Sequence, residues 1–116
     1  MKYIGISKKF SLHNEDQYIT IGAFWDELTI VYGLENLRGL GYKWGNGVIY
    51  YAVGLKEGII EGANFTVELP DTGWIAVTGK TDELKQIYDE IYKSGPLKYE
   101  IEIFNEDGTC VIKYIR

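Results

Sequence analysis

The stretch Leu97–Gly108, LKYEIEIFNEDG, sets Glu100 and Glu102 one residue apart in a run rich in β-forming residues. Successive strand residues point to opposite faces, so Glu100, Glu102 and Phe104 share one face while Tyr99, Ile101 and Ile103 share the other. The apolar set is expected to pack beneath helices. Two carboxylates on the opposite face describe either a wetted sheet surface or the charged wall of a pocket. A two-residue turn at Asp107-Gly108 would pair Glu106 with Thr109, Glu102 with Lys113 and Phe104 with Val111. The first reading is then an exposed Glu102–Lys113 ion pair worth about 0.2–1 kcal/mol. In the second, a matching turn at Asn46-Gly47 sets Lys43 opposite Tyr50 and Gly41 opposite Ala52. Gly39, Gly41 and Ala52 are small and leave a hollow, with Tyr50 and Phe104 beside the carboxylates. An aromatic face attracts a cation by about 0.5–2 kcal/mol, and a partly desolvated carboxylate adds a directional partner. Lys113 would either hold Glu102 until a ligand displaces it or neutralise the site.

Other chemistries have weaker support. His13, the only histidine, lies in the polar stretch HNED and reads as a solvated loop residue. Cys110 is the single cysteine, inside an apolar strand, and reads as a small buried hydrophobe. No cysteine–histidine spacing suggests zinc, no acidic loop has calcium spacing, and GYKWGNG is followed by no phosphate-binding helix. Ser7, Ser11 and Ser94 lack an arranged base. Neither metal nor cofactor is expected.

Composition narrows the partners. The chain has 116 residues, with 17 acidic against 12 basic side chains and a formal charge of −5, which argues against direct nucleic-acid binding. No apolar run approaches the roughly 18–20 residues of a membrane span, and MKYIGISKKF has no signal-peptide core, so a cytoplasmic location is expected. Ten tyrosines, three tryptophans and four phenylalanines suit an aromatic-lined cavity as well as a core.

The elements that must position these groups form a repeat. KYIGISKKFSL reads as a strand. Tyr18, Ile21, Trp25, Leu28 and Tyr32, spaced by three and four, read as one face of a helix stopped at Gly33. NLRGLGYKW and VIYYAVGLK flank the Asn46-Gly47 turn. After ANFTVELP and a Pro70–Gly73 turn, the order recurs. WIAVTGK is a strand, and Thr81 caps a helix whose apolar stripe is Leu84, Ile87, Tyr88 and Ile91. Gly95-Pro96 stops that helix before LKYEIEIFN and TCVIKYI. KYIGISKK aligns with GWIAVTGK, FWDEL with IYDEI, and Asn46 with Asp107, at offsets of 71, 63 and 61. The expectation is an α+β domain spanning 1–116. Its duplicated βαββ units (about 1–56 and 64–116) form one curved antiparallel sheet with two helices on one face and a pocket near the seam.

FWDEL, GLGYKW, YYAVGL and IEIFNEDG, in that order within duplicated βαββ units, resemble the gyrase-inhibitor-like (GyrI-like) effector-binding domains. Nearly the whole chain is covered. The resemblance implies a domain like the ligand-sensing parts of bacterial drug-responsive transcription regulators, without their DNA-binding module. It also implies an aromatic-lined multidrug pocket for amphipathic, often cationic aromatic molecules, with a late-strand glutamate as counter-charge. Ile101-Glu102-Ile103-Phe104 fits the family motif of an apolar or aromatic residue, Glu, any residue, then an aromatic. The carry-over therefore falls on Glu102. Tyr42 and Trp44 follow from GLGYKW, and Trp25 from the helix motif. The expected ligand-binding set is thus Glu102, Phe104, Tyr50, Tyr42, Trp44, Trp25 and Gly41, with no catalytic residue assigned. Alternatives are a small hydrolase using Glu102, which some relatives' chemistry allows, and a protein-interaction or inhibitor module acting through its acidic surface. Expected partners are a small organic cation or aromatic ligand, and a second copy joined through open sheet edges or a separate regulatory protein; no membrane is expected.

Overall fold

The computed structural model describes residues 1–116. The elements run β1 (Lys2–Ser11), α1 (Gln17–Tyr32), β2 (Leu37–Gly45), β3 (Val48–Leu55), β4 (Phe65–Glu68), β5 (Ile75–Lys80), α2 (Leu84–Lys93), β6 (Tyr99–Phe104) and β7 (Thr109–Ile115). The βαββ order thus occurs twice, with β4 added between the copies. All seven strands belong to one unclosed antiparallel sheet, ordered β4-β1-β3-β2-β6-β7-β5. The copies meet where β2 pairs with β6, in the register Gly39↔Glu102, Leu40↔Ile101, Gly41↔Glu100. The offset of 61 maps Gly39 to Glu100 and Gly41 to Glu102, so the pseudo-twofold passes between Leu40 and Ile101.

Helix α1 buries Phe24 and Trp25 and ends at Gly33, whose φ of 85° and N–H bond to the Thr29 carbonyl make it the stop that its sequence suggests. Thr81 does not cap α2 with its side chain. It opens a 3-10 turn, Thr81–Glu83, ahead of the helix proper. At the far end the Arg116 guanidinium donates to the carbonyls of Ile91 and Gly95 at 2.7 and 2.6 Å, satisfying acceptors a helix leaves open.

Both helices cover one sheet face over a core that includes Leu37, Ile49, Tyr51, Val53, Phe104 and Ile112. Cys110 is fully buried in the same core, and burial pushes its thiol pKa up. The other face holds Tyr3, Leu40, Ala52, Leu69 and Ile101. Residues 69–74 join β4 to β5, which lie on opposite edges of the sheet. Seven flat strands would put those edges about 29 Å apart, whereas the link reaches at most about 25 Å. The sheet must therefore curl. Leu69 and Trp74, at the two ends of the link, pack against the second cluster, and the Trp74 indole N–H donates to the Pro70 carbonyl at 2.7 Å. Ala52, expected to leave a hollow together with Gly39 and Gly41, belongs to this packed cluster and not to their face.

Two registers differ from the sequence reading. The β6–β7 turn uses three residues, Glu106–Gly108, between Asn105 and Thr109: the Asn105 N–H bonds to the Thr109 carbonyl, and the Asp107 carboxylate accepts from both the backbone N–H and the hydroxyl of Thr109. The pairs become Phe104↔Cys110, Glu102↔Ile112 and Ile101↔Lys113. Lys113 therefore lies on the face opposite Glu102, and no ion pair joins them. In the first hairpin the two-residue turn is present, with Gly45 opposite Val48. A bulge between Tyr42 and Gly45 then shifts the pairs to Tyr42↔Tyr50 and Gly41↔Tyr51. Lys43 sits in that bulge at φ 59° and turns Trp44 back toward the helices. No helix is long and apolar enough to cross a membrane.

Candidate functional site

Glu100, Glu102 and Phe104 do share a face, as strand alternation requires, but it is the face beneath the helices. Charged side chains rarely go there unless donors await them. Here they do. The Tyr51 hydroxyl of β3 donates to Glu102 Oε1, and the Trp25 indole N–H of α1 donates to the Tyr51 oxygen at 2.8 Å. The Tyr88 hydroxyl of α2 donates to Glu102 Oε2 at 2.6 Å. One helical turn on, the Tyr92 hydroxyl donates to Glu100 Oε2 at 3.2 Å, its ring stacked on that of Tyr88. Glu100 and Glu102 are only 4% and 5% exposed.

Glycines on β2 make the room. A Cβ at Gly39 would collide with the Tyr51 hydroxyl and stand 2.9 Å from the Trp25 ring. A Cβ at Gly41 would stand 2.6 Å from Glu100 Oε1. The hollow beside the seam is real at these two positions, and the tyrosine–carboxylate network fills its floor.

Above that floor, between α1 and α2, a cavity of about 740 Å³ opens. Trp25, Trp44, Tyr88, Tyr92 and Phe104 supply aromatic wall, with Trp25 and Phe104 in edge contact at a centroid distance of 4.9 Å. Glu100 and Glu102 lie at its base, Asp26 and Glu106 also line it, and no lysine, arginine or histidine does. Gln17, at the start of α1, lines it too and carries a buried side-chain oxygen with no hydrogen-bond partner.

Burial sets the electrostatics. Desolvation, then the charge of Glu102, pushes the Glu100 pKa well above the carboxylate range. Desolvation raises Glu102 as well, and the hydroxyls of Tyr51 and Tyr88 offset only part of that rise. Burial raises Tyr51, Tyr88 and Tyr92 far enough to keep them neutral donors, and raises Tyr18 to about 12.

Of the expected ligand-binding residues, the fold brings together Trp25, Trp44, Glu102 and Phe104 as cavity lining. Gly41 contributes space beneath Glu100 rather than a surface. Tyr42 and Tyr50 do not belong to the site. The bulge pairs them with each other on the opposite face, where Tyr42 stacks on Phe65 at 4.4 Å and bonds to the Ser7 hydroxyl. The expected Lys43–Tyr50 proximity survives as side-chain contact, with the ammonium 5.5 Å from the ring centroid. The residues that sequence reasoning missed are Tyr51, Tyr88 and Tyr92, and Glu100, weighed beside Glu102, was left out of the ligand-binding set. A signal for two of them was present: Tyr88 and Tyr92 lie four residues apart, one helical face aimed at one point.

No group of three or more His, Cys, Asp or Glu side chains is arranged to hold a metal ion. Comparison with protein-family models, with curated proteins and with solved structures finds no match to this chain.

Proposed function

We propose that the domain binds small amphipathic cations with aromatic character, in the manner of a GyrI-like effector-binding domain, for sensing or sequestration. One observation carries the reading: a cavity of about 740 Å³ with tryptophan, tyrosine and phenylalanine in its walls has two buried carboxylates at its base and no cationic side chain in its lining. Such a volume suits a drug-sized molecule. Tryptophan and tyrosine faces attract a cation, and a carboxylate in a low-dielectric site favours one far more than in water. Internal neutralisation by Lys113 does not arise, since that residue lies on the opposite face.

The test is thermal unfolding against aromatic cations, neutral analogues and anions of matched size. At a hundred times the dissociation constant a ligand adds about 2.7 kcal/mol. Stabilisation confined to the cations supports the reading. Equal stabilisation by anions, or none by any ligand, overturns it.

A second reading has its own observation. A carboxyl whose pKa burial pushes well up, Glu100, stands beside one held by two tyrosine hydroxyls, Glu102, at the bottom of a cavity, an unequal pair that suits the acid–base chemistry of a small hydrolase. Turnover of a neutral electrophile that vanishes in Glu102→Gln while binding persists would favour it over simple binding.

A further inference from the structure

The two carboxylates are not equivalent. Both oxygens of Glu102 already accept a phenolic hydrogen, from Tyr51 and from Tyr88. Glu100 has one donor of its own, Tyr92, on Oε2; the Tyr88 hydroxyl is a second favourable neighbour but its hydrogen is given to Glu102, and Glu100 Oε1 accepts no hydrogen bond. The two side chains leave the same strand face two residues apart, about 7 Å along the strand. The titratable and charged groups facing Glu100 are Glu102 of its own strand, Tyr88 and Tyr92 of α2, Tyr51 of β3, Tyr18 and Asp26 of α1, and Glu106 of the β6–β7 turn. None is a cation. Two buried like charges with no counter-ion do not both ionise, and the charge goes to the member with more donors. Burial raises both pKa values, but the extra donor favours the charge on Glu102 and the proton on Glu100.

We infer that Glu100, rather than the motif-matching Glu102, is the carboxylate that meets the ligand, and that it gives up its proton as the cation arrives. The inference rests on the cation-binding reading above. The O–H bond of Glu100 breaks, the proton passes to buffer, and the ligand's positive charge takes its place beside the new carboxylate. No other group changes oxidation or bonding. Glu102, held by two tyrosines, stays where it is and supplies a fixed field. A cation entering the cavity then sees one charge already present and one that it calls up, and affinity rises with pH for as long as Glu100 keeps its proton in the free protein.

Tetraphenylphosphonium tests this, because it is a permanent aromatic cation without a titratable proton, so any proton released comes from the protein. Isothermal titration of the whole chain near neutral pH, in two buffers of different ionisation enthalpy, counts the protons. The expected result is release approaching about one proton per ligand in the unaltered protein. In Glu100→Gln, which keeps the shape of the neutral acid, release falls to near zero and affinity drops about tenfold or more. Tyr92→Phe, which leaves both carboxylates in place, keeps the release and weakens binding, so the outcome does not depend on the folding of one variant. Binding without proton release, or full affinity in Glu100→Gln, overturns the role of Glu100 while leaving cation binding intact. No binding of any aromatic cation to the unaltered protein overturns both.

Discussion

Strands β2 and β6 occupy equivalent positions in the two copies of the βαββ unit and pair with each other across the pseudo-twofold. At the two helix-facing sites flanking Leu40 one copy carries glycine, Gly39 and Gly41; at those flanking Ile101 the other carries glutamate, Glu100 and Glu102. Antiparallel pairing sets each glutamate opposite a glycine. A duplicated scaffold has thus been used asymmetrically, one copy giving volume and the other charge. Neither works alone. Side chains in both copies would close the cavity, and glycines in both would leave its base without a carboxylate. The helices repeat the theme. Trp25 and Tyr88 align in the two copies, and both feed hydrogen bonds toward Glu102, one through Tyr51 and one directly.

The asymmetry can be broken at its tightest point by Gly39→Leu. The new side chain has nowhere to go between the Tyr51 hydroxyl and the Trp25 ring, and a loss of about 3 kcal/mol is expected in urea unfolding. Gly41→Ala should cost less, about 1 kcal/mol, because only the flexible Glu100 side chain stands in the way, its Cγ included, and no backbone or ring. Ligand binding should suffer more than stability there; unchanged binding would separate Gly41 from the site.

Tyr88→Phe removes one of two donors from a buried carboxylate and should lower stability by about 2 kcal/mol, with Glu102 titrating at higher pH by carbon-detected NMR. Tyr42→Phe on the opposite face provides the contrast, with no effect on the carboxylate resonances.

Glu100→Gln sharpens the comparison through pH. A carboxyl whose pKa is raised on folding binds more protons in the native state. Its contribution is complete below the unfolded value of about 4.5 and is lost as pH rises toward the folded value. Within that window the unaltered protein loses up to about 1.4 kcal/mol per pH unit through this group, and Glu100→Gln does not. The variant should therefore be the more stable one, by a margin that grows with pH. A margin independent of pH would mean that Glu100 titrates normally.

The smallest effect belongs to Lys113→Ala. An exposed residue on the face away from the carboxylates should change stability by less than about 0.5 kcal/mol and leave the glutamates' titration unaltered.

The regular features of this molecule could be read without coordinates. Apolar residues at helical spacing define α1 and α2, Asn46-Gly47 makes the first hairpin turn, and the recurring motifs announce the duplication. All of these are local, decided within a turn of helix or a few residues of strand. The grouping of Glu100, Glu102 and Phe104 on one face was legible for the same reason. Which face lies under the helices was not, because that depends on donors far away in sequence. Tyr51, Tyr88 and Trp25 make the buried position tolerable for a carboxylate only after the sheet and helices have assembled. The error over Tyr42, Tyr50 and Lys113 has a similar origin. A bulge at Lys43 and a three-residue turn held by Asp107 each move the register by one, and with a side-chain period of two a single step exchanges inside for outside. The sequence by itself determined the elements, their duplication and the chemistry available. Only the tertiary structure decided on which side of the sheet that chemistry lies and which carboxylate is left with a free oxygen, because burial and hydrogen bonding are properties of the assembled neighbours and not of the strand that carries the charge.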